Sequence, residues 1–209
     1  RWGGPNASPD YIKVAGAMLM SLRGSVCWWQ GDGLALTEAD IPFEKLQDPY
    51  GITFWPEFKG RDGCRTPMPW SSTQPQGGFS AGRDVEPWLP VPAEHRARAV
   101  DVNEADPASP LNALRRFIAW RKTQRCLIDG DIRFLDAPEP VLALIRTPAD
   151  ATHGDTLLAL FNLGHDAVSL ELPQAPQTIA VDGHGFEGAR REGQRFTLPA
   201  YGAYFGKMA

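Results

Sequence analysis

The sequence predicts an α/β segment followed by an antiparallel β domain. Two stretches, Ser8 to Arg23 and Ser109 to Gln124, set apolar residues at helical spacing behind a Ser-Pro pair, and between them Ser25 to Gln30 has the length and content of a strand. Beyond Gln124 the chain changes to short alternating or apolar runs separated by glycine-containing turns, the pattern of hairpin-connected strands.

In order, Ser8 can cap a helix, Pro9 suits its first position and Asp10 its first turn. Tyr11, Val14, Ala15, Met18, Leu19 and Leu22 then recur on one face until Gly24, which predicts a helix over 9–23. Ser25-Val26-Cys27-Trp28-Trp29-Gln30 follows at once, mostly apolar and stopped by Gly31, and is expected to be a strand buried on both faces. Residues 31–109 are dominated by Pro, Gly, Asp and aromatics, and a loop of that length in a compact domain is expected to be functional. Ser109-Pro110 repeats the capping device, and Leu111, Leu114, Phe117 and Ile118 predict a second helix over 110–124. Strands are predicted at 131–135, 141–146, 156–162, 167–172, 178–181, 195–198 and 203–207. This order fits the C-terminal part of a (β/α)8 TIM barrel over residues 1–126, carrying a long active-site loop at 31–109, followed by a C-terminal antiparallel β-sandwich domain over 127–209.

Composition narrows the function classes. With 209 residues, 43% of them hydrophobic, the chain can bury a sizeable core. A net charge of -4 without a basic run gives no electrostatic reason to expect nucleic acid or an anionic membrane, so neutral ligands are favoured. The apolar run from Val14 to Leu22 is broken by Gly16 and Ser21 and is shorter than the roughly 20 residues that span a bilayer. Cys27, Cys64 and Cys126 are odd in number and widely spaced, which predicts no disulfide framework and a reducing, cytoplasmic setting. His95, His153, His165 and His184 lack the neighbouring ligands of a metal site, so neither metal nor cofactor is expected. The chain opens at Arg1 without an initiator methionine, and the gene product is expected to start upstream. Trp2, Trp28, Trp29, Trp55, Trp70, Trp88 and Trp120 suit either stacking on sugar rings or packing.

A set of motifs then appears in order: Gln30-Gly31-Asp32 after the predicted strand, Leu46-Gln47-Asp48-Pro49-Tyr50-Gly51, Gly60-Arg61-Asp62-Gly63-Cys64-Arg65-Thr66-Pro67-Met68-Pro69-Trp70, Gly78-Phe79-Ser80, and Pro87-Trp88-Leu89-Pro90-Val91. Together they resemble the α-glucosidases and oligo-1,6-glucosidases of glycoside hydrolase family 13, the α-amylase superfamily, whose eighth barrel strand is followed by Gln-Gly-Glu-Glu and then by a Gly-Arg-Asp-x-x-Arg-Thr-Pro-Met-x-Trp loop. Here Asp32 and Gly33 stand where that motif has its two glutamates.

The resemblance implies a retaining α-glucosidase that releases terminal α-linked glucose from small oligosaccharides or α-glucosides. A transglucosylase or sucrose or maltose isomerase of the same superfamily, or a non-catalytic carbohydrate-binding homologue, is the alternative. The family's catalytic acids belong to earlier barrel strands and are not among these residues, so the chain alone is expected to be inactive and to need the missing N-terminal part of the barrel as partner. Arg65 matches the arginine that reaches the non-reducing glucose, where a guanidinium fork can donate to adjacent hydroxyls. Arg61 and Asp62 are the other candidate substrate-binding residues, with loop bracing through a mutual pair as the competing role. Gln30 and Asp32 are expected to form a hydrogen-bonded rim, Glu38, Asp40 and Glu44 to be solvated, Cys64 to be a passive thiol, and Trp55 and Trp70 to be an acceptor wall or packing. Without the rest of a barrel, the apolar faces of both helices and Val26 to Trp29 are expected to be exposed.

Overall fold

Ser8 starts the first helix as expected. Its hydroxyl accepts the Asp10 N–H at 3.2 Å, Pro9 follows, and α1 runs Pro9–Ser21, ending at Leu22 in extended conformation. The computed structural model describes residues 7–81, 85–150, 152 and 154–208, so Trp2 and His153 lie outside the described residues. Two compact units result. One contains Trp28–Asn112; the other joins Ser8–Cys27 to the chain from Ala113 onward.

In the unit containing Trp28–Asn112, the predicted loop is mostly irregular backbone punctuated by single turns of 3-10 helix and by α2 (Pro49–Thr53), α3 (Ala93–Arg96) and α4 (Val100–Ala105). One apolar cluster in it is Ala39, Ile41, Leu46 and Leu89 with Trp55 packed on them, and Leu34, Ala35 and Ala99 are buried as well. Phe43 lies against Trp55 at 5.6 Å between ring centres, and the Lys59 ammonium sits 5.5 Å over the same indole. Trp55 therefore packs, whereas Trp70 is about half exposed.

The second unit contains α1, α5 (Pro110–Arg121) from Ala113 onward, α6 (Arg125–Asp129) and eight strands: β1 (Asp131–Leu135), β2 (Val141–Thr147), β3 (Leu157–Asn162), β4 (Val168–Glu171), β5 (Thr178–Ala180), β6 (Arg190–Glu192), β7 (Arg195–Leu198) and β8 (Ala203–Met208). They form two antiparallel sheets, ordered β1-β2-β3-β8-β5 and β4-β7-β6. Period-two alternation explains how β3 can be buried throughout. Leu158 and Leu160 face a core shared with Leu170, Phe196 and Leu198 of the smaller sheet. On the opposite face, Phe161 meets Phe205 of β8, which also touches Phe117 and Trp120 of α5. Burial of aromatic side chains of this size contributes about 1.5–3 kcal/mol each.

One buried charge ties this unit together. Arg146 of β2 is 1% exposed, and its guanidinium donates to the carbonyls of Ser21 and Leu22 at the end of α1 and to those of Gly130 and Asp131. A cation at a helix C-terminus meets the negative end of the helix dipole and its unpaired carbonyls. Burial pulls the Arg146 guanidinium below its usual range, the Arg121 and Arg23 charges add to that, and nearby Cys126 and Asp131 oppose it.

Two expectations are corrected. Ser25 to Gln30 is not a strand: it is extended or turning backbone with Cys27 and Trp29 exposed, because no neighbouring strand among the described residues offers it a ladder. The helices are not bare either. Val14, Ala15, Ala17 and Met20 of α1, and Phe117 and Trp120 of α5, are buried, with α1 lying against β3 and the α5 aromatics against Phe205. The β domain supplies the cover that a barrel was expected to supply.

Candidate functional site

The stretch from Gly60 to Thr66 is shaped by what cannot fit there. Gly60 has φ +75°, and a Cβ on it would lie 2.9 Å from Cβ of Asp48; a Cβ on Gly63 would lie 2.3 Å from the Ala39 carbonyl. These glycines let the loop pass directly over the 38–39 and 47–48 segments. Asp62–Cys64 makes one 3-10 turn, closed by the Arg65 N–H on the Asp62 carbonyl at 2.9 Å.

Side chains then fasten this turn from several directions. Trp29 Nε1 donates to the Cys64 carbonyl at 2.9 Å, and Gln30 Nε2 to the Thr66 carbonyl at 3.0 Å. The Ala39 N–H donates to the Gly63 carbonyl at 3.0 Å. Buried His95 places Nε2 at 2.8 Å from the Thr37 carbonyl, so that nitrogen carries the proton, and in the neutral ring Nδ1 accepts from the Thr66 hydroxyl at 3.1 Å. Asp32 accepts the Trp29 N–H at 3.1 Å.

The three candidate binding residues separate clearly. Asp62 is 2% exposed, and its Oδ2 accepts the N–H groups of Gln47 at 2.6 Å and Asp48 at 2.8 Å. Its carboxylate is committed to backbone, and the Arg61–Asp62 pair weighed as the competing role does not form; these N–H groups hold the carboxylate instead. Arg61 is exposed, and its backbone N–H donates to Asp48 Oδ2 at 3.0 Å. Arg65 has a side chain 44% exposed, with Nη1 at 3.6 Å from Asp48 Oδ2. Among the three, it joins a held charge to an accessible fork.

Asp48 is the residue that sequence reasoning left unassigned. It is 8% exposed, caps α2 by accepting the Tyr50 N–H at 3.0 Å, and faces Arg65. Burial raises its pKa, but the Tyr50 and Arg61 N–H groups and the two guanidinium charges outweigh burial and hold the carboxyl below the ordinary range. Asp48-Pro49 is the same cap-and-proline signal as Ser8-Pro9, so the sequence did carry a mark of its capping role.

Glu38, Asp40 and Glu44 do not form a reacting pair. Asp40 bonds Lys59 at 2.5 Å on the surface, and Glu38 and Glu44 are exposed. Among the described residues no three His, Cys, Asp or Glu side chains gather to hold a metal ion, and no helix is long and apolar enough to cross a membrane. Within the β domain, a shallow cleft of about 460 Å³ is lined in part by Thr178, Arg191 and Tyr204. Arg191 is already bonded to the Pro176 and Gly193 carbonyls and lies over Phe196, so it serves the fold.

The family model described as "Alpha amylase, catalytic domain" matches residues 4–130. The chain belongs to the α-amylase family. Within that family it is 45% identical over 211 residues to a probable α-glucosidase of Rhizobium meliloti (strain 1021), covering all of this chain and 36% of that protein. It is 30% identical over 148 residues to a probable oligo-1,6-glucosidase 2 of Bacillus subtilis (strain 168), covering 62% of this chain and 26% of that protein. Among solved structures, the α-glucosyl transfer enzyme XgtA superposes with a TM-score of 0.90 at 46% identity, over the whole of this chain and 37% of that one. The chain thus spans about a third of the length of these family members. A catalytic-domain match over the first part and antiparallel sheets over the second fit a partial α-amylase barrel followed by a β domain.

Proposed function

We propose that the chain is the C-terminal segment of a retaining α-glucosidase, residues 1–126 forming the last part of a (β/α)8 barrel with its long loop at 31–109 and residues 127–209 a β-sandwich. The observation that carries this reading is Arg65: a half-exposed guanidinium on a loop braced from four segments, in a chain 45% identical to a probable α-glucosidase. Such a fork donates to adjacent hydroxyls of a terminal glucose and fixes its orientation. Arg61, exposed beside it, can contact the sugar or its aglycone, while Asp62 acts from beneath the loop.

In the whole protein a carboxylic acid protonates the glycosidic oxygen while a carboxylate about 5–5.5 Å away attacks the anomeric carbon, and the resulting glucosyl ester is then released. Neither group is assigned to this chain. Its part is to bind and orient sugar and to wall the site. Because the 46% identical XgtA is an α-glucosyl transfer enzyme, transfer of the glucosyl group to a sugar or alcohol in place of water is the second reading.

The test is product analysis of the full-length protein with maltose and with sucrose. Two glucoses per maltose, or glucose and fructose in equal amounts from sucrose, support hydrolysis; new glucosides, with free glucose short of those amounts, support transfer; and absence of turnover overturns the reading. The isolated chain is expected to be inactive on a nitrophenyl α-glucoside, and turnover by it would show that the catalytic acids lie within these residues.

A further inference from the structure

We propose that Asp48 is the positioning residue that aims Arg65, an inference that rests on the reading of Arg65 as a sugar contact. The Asp48 carboxylate is fixed on three sides. Oδ1 accepts the Tyr50 N–H at 3.0 Å, and Oδ2 accepts the Arg61 N–H at 3.0 Å while standing 3.6 Å from Arg65 Nη1. Its own backbone is held by Asp62, whose Oδ2 takes the N–H groups of Gln47 and Asp48. Above it, Gly60 approaches so closely that a Cβ would meet the Asp48 Cβ and Cγ at 2.9 and 3.0 Å.

A carboxylate with this many short, directional contacts has a single placement. A long, half-exposed arginine has many rotamers, and fixing them costs up to about 2 kcal/mol when no partner selects among them. Asp48 favours one by placing its charge 3.6 Å from Nη1, close enough to bias the fork electrostatically while leaving its N–H groups for ligand. Asp62 acts one step further back: it sets Asp48, and Asp48 sets Arg65. The order runs from a buried carboxylate through a capping carboxylate to an accessible fork.

The experiment is a double-mutant cycle on the full-length protein, reading kcat and KM for a nitrophenyl α-glucoside together with the melting temperature. Arg65→Ala is expected to lower kcat/KM by about 10- to 100-fold, the scale of a lost hydrogen bond to a charged group. Asp48→Ser retains a capping oxygen for Tyr50 but removes the oxygen facing Arg65, and is expected to lower kcat/KM by about 5-fold, the scale of a partly exposed ion pair. In the Arg65→Ala background Asp48→Ser is expected to have no further effect. If Asp48→Ser melts too low to assay, Asp48→Asn replaces it, keeping volume and cap. Equal losses in both backgrounds, or no loss in either, overturn the positioning role while leaving the Arg65 reading intact. An Arg65→Ala variant with undiminished kcat/KM, or a full-length protein without activity, overturns the Arg65 reading and the positioning role with it.

Discussion

The loop unit, Trp28–Asn112, and the β domain reach order by different means. The loop has a modest set of buried apolar side chains, among them Leu34, Ile41, Leu46 and Leu89, and much of its shape comes from side chains bonded to backbone: Asp62 to two N–H groups, Gln30 and Trp29 to two carbonyls, His95 between Thr37 and Thr66. The β domain has ladders, a core between its two sheets and an aromatic layer behind the larger one. Dispersion in the second is spread over many atoms, so its stability is large but insensitive to direction. Directional bonds in the first are few, and each fixes the aim of a particular group. Placement of an individual group in the loop unit is therefore more fragile than the core of the β domain.

The sharpest way to break this contrast is Phe205→Ala. That side chain touches Phe117, Trp120, Phe161 and His184, and its truncation is expected to cost about 3–5 kcal/mol in urea unfolding. Next is Arg146→Met, which leaves the carbonyls of Ser21, Leu22, Gly130 and Asp131 unpaired and is expected to cost about 3 kcal/mol by the same measurement. In the loop, Asp62→Ala is expected to cost about 2 kcal/mol of local protection, read as faster amide hydrogen exchange at Gln47 and Asp48. Unchanged exchange there would remove the basis of the comparison.

Two smaller effects sharpen it. Burial depresses the His184 pKa below 6.5, with the Val181 carbonyl and the Asp182 and Glu187 charges pulling weakly the other way. The unfolded chain then binds the proton more readily than the folded one, so stability is full above pH 6.5 and falls as the pH drops through the depressed folded value. Melting temperature against pH is expected to show this slope, and His184→Gln to flatten it. The smallest effect is chemical: at pH 8, iodoacetamide is expected to label exposed Cys27 and Cys64 and spare buried Cys126, whose thiol burial pushes up to about 11. Mass spectrometry of the labelled peptides checks it.

Much of the fold was legible because local signals and burial agreed. Ser8-Pro9 and Ser109-Pro110 marked the starts of α1 and α5, and short alternating or apolar runs between turn residues marked β1 to β5, β7 and β8. β6, Arg190–Glu192, was not legible, since three charged residues carry no apolar pattern and are strand only through pairing with β7. Ser25 to Gln30 failed in the opposite sense, having strand composition without a partner. At the site, the spacing of Arg61, Asp62 and Arg65 was plain, but which carboxylate served which arginine depended on the 47–48 segment folding back under residue 60. No local pattern encodes that meeting.

Gly60 and Gly63, in the same loop as Arg65, also set what substitution can explore. Positions 61, 64 and 65 point outward and accept many side chains, whereas 60 and 63 are closed by the Asp48 side chain and the Ala39 carbonyl. A library randomised across 60–65 would keep its folded members among those retaining glycine at both positions. Within that frame, the side chains at 61 and 64 are free to vary while the scaffold stays unaltered.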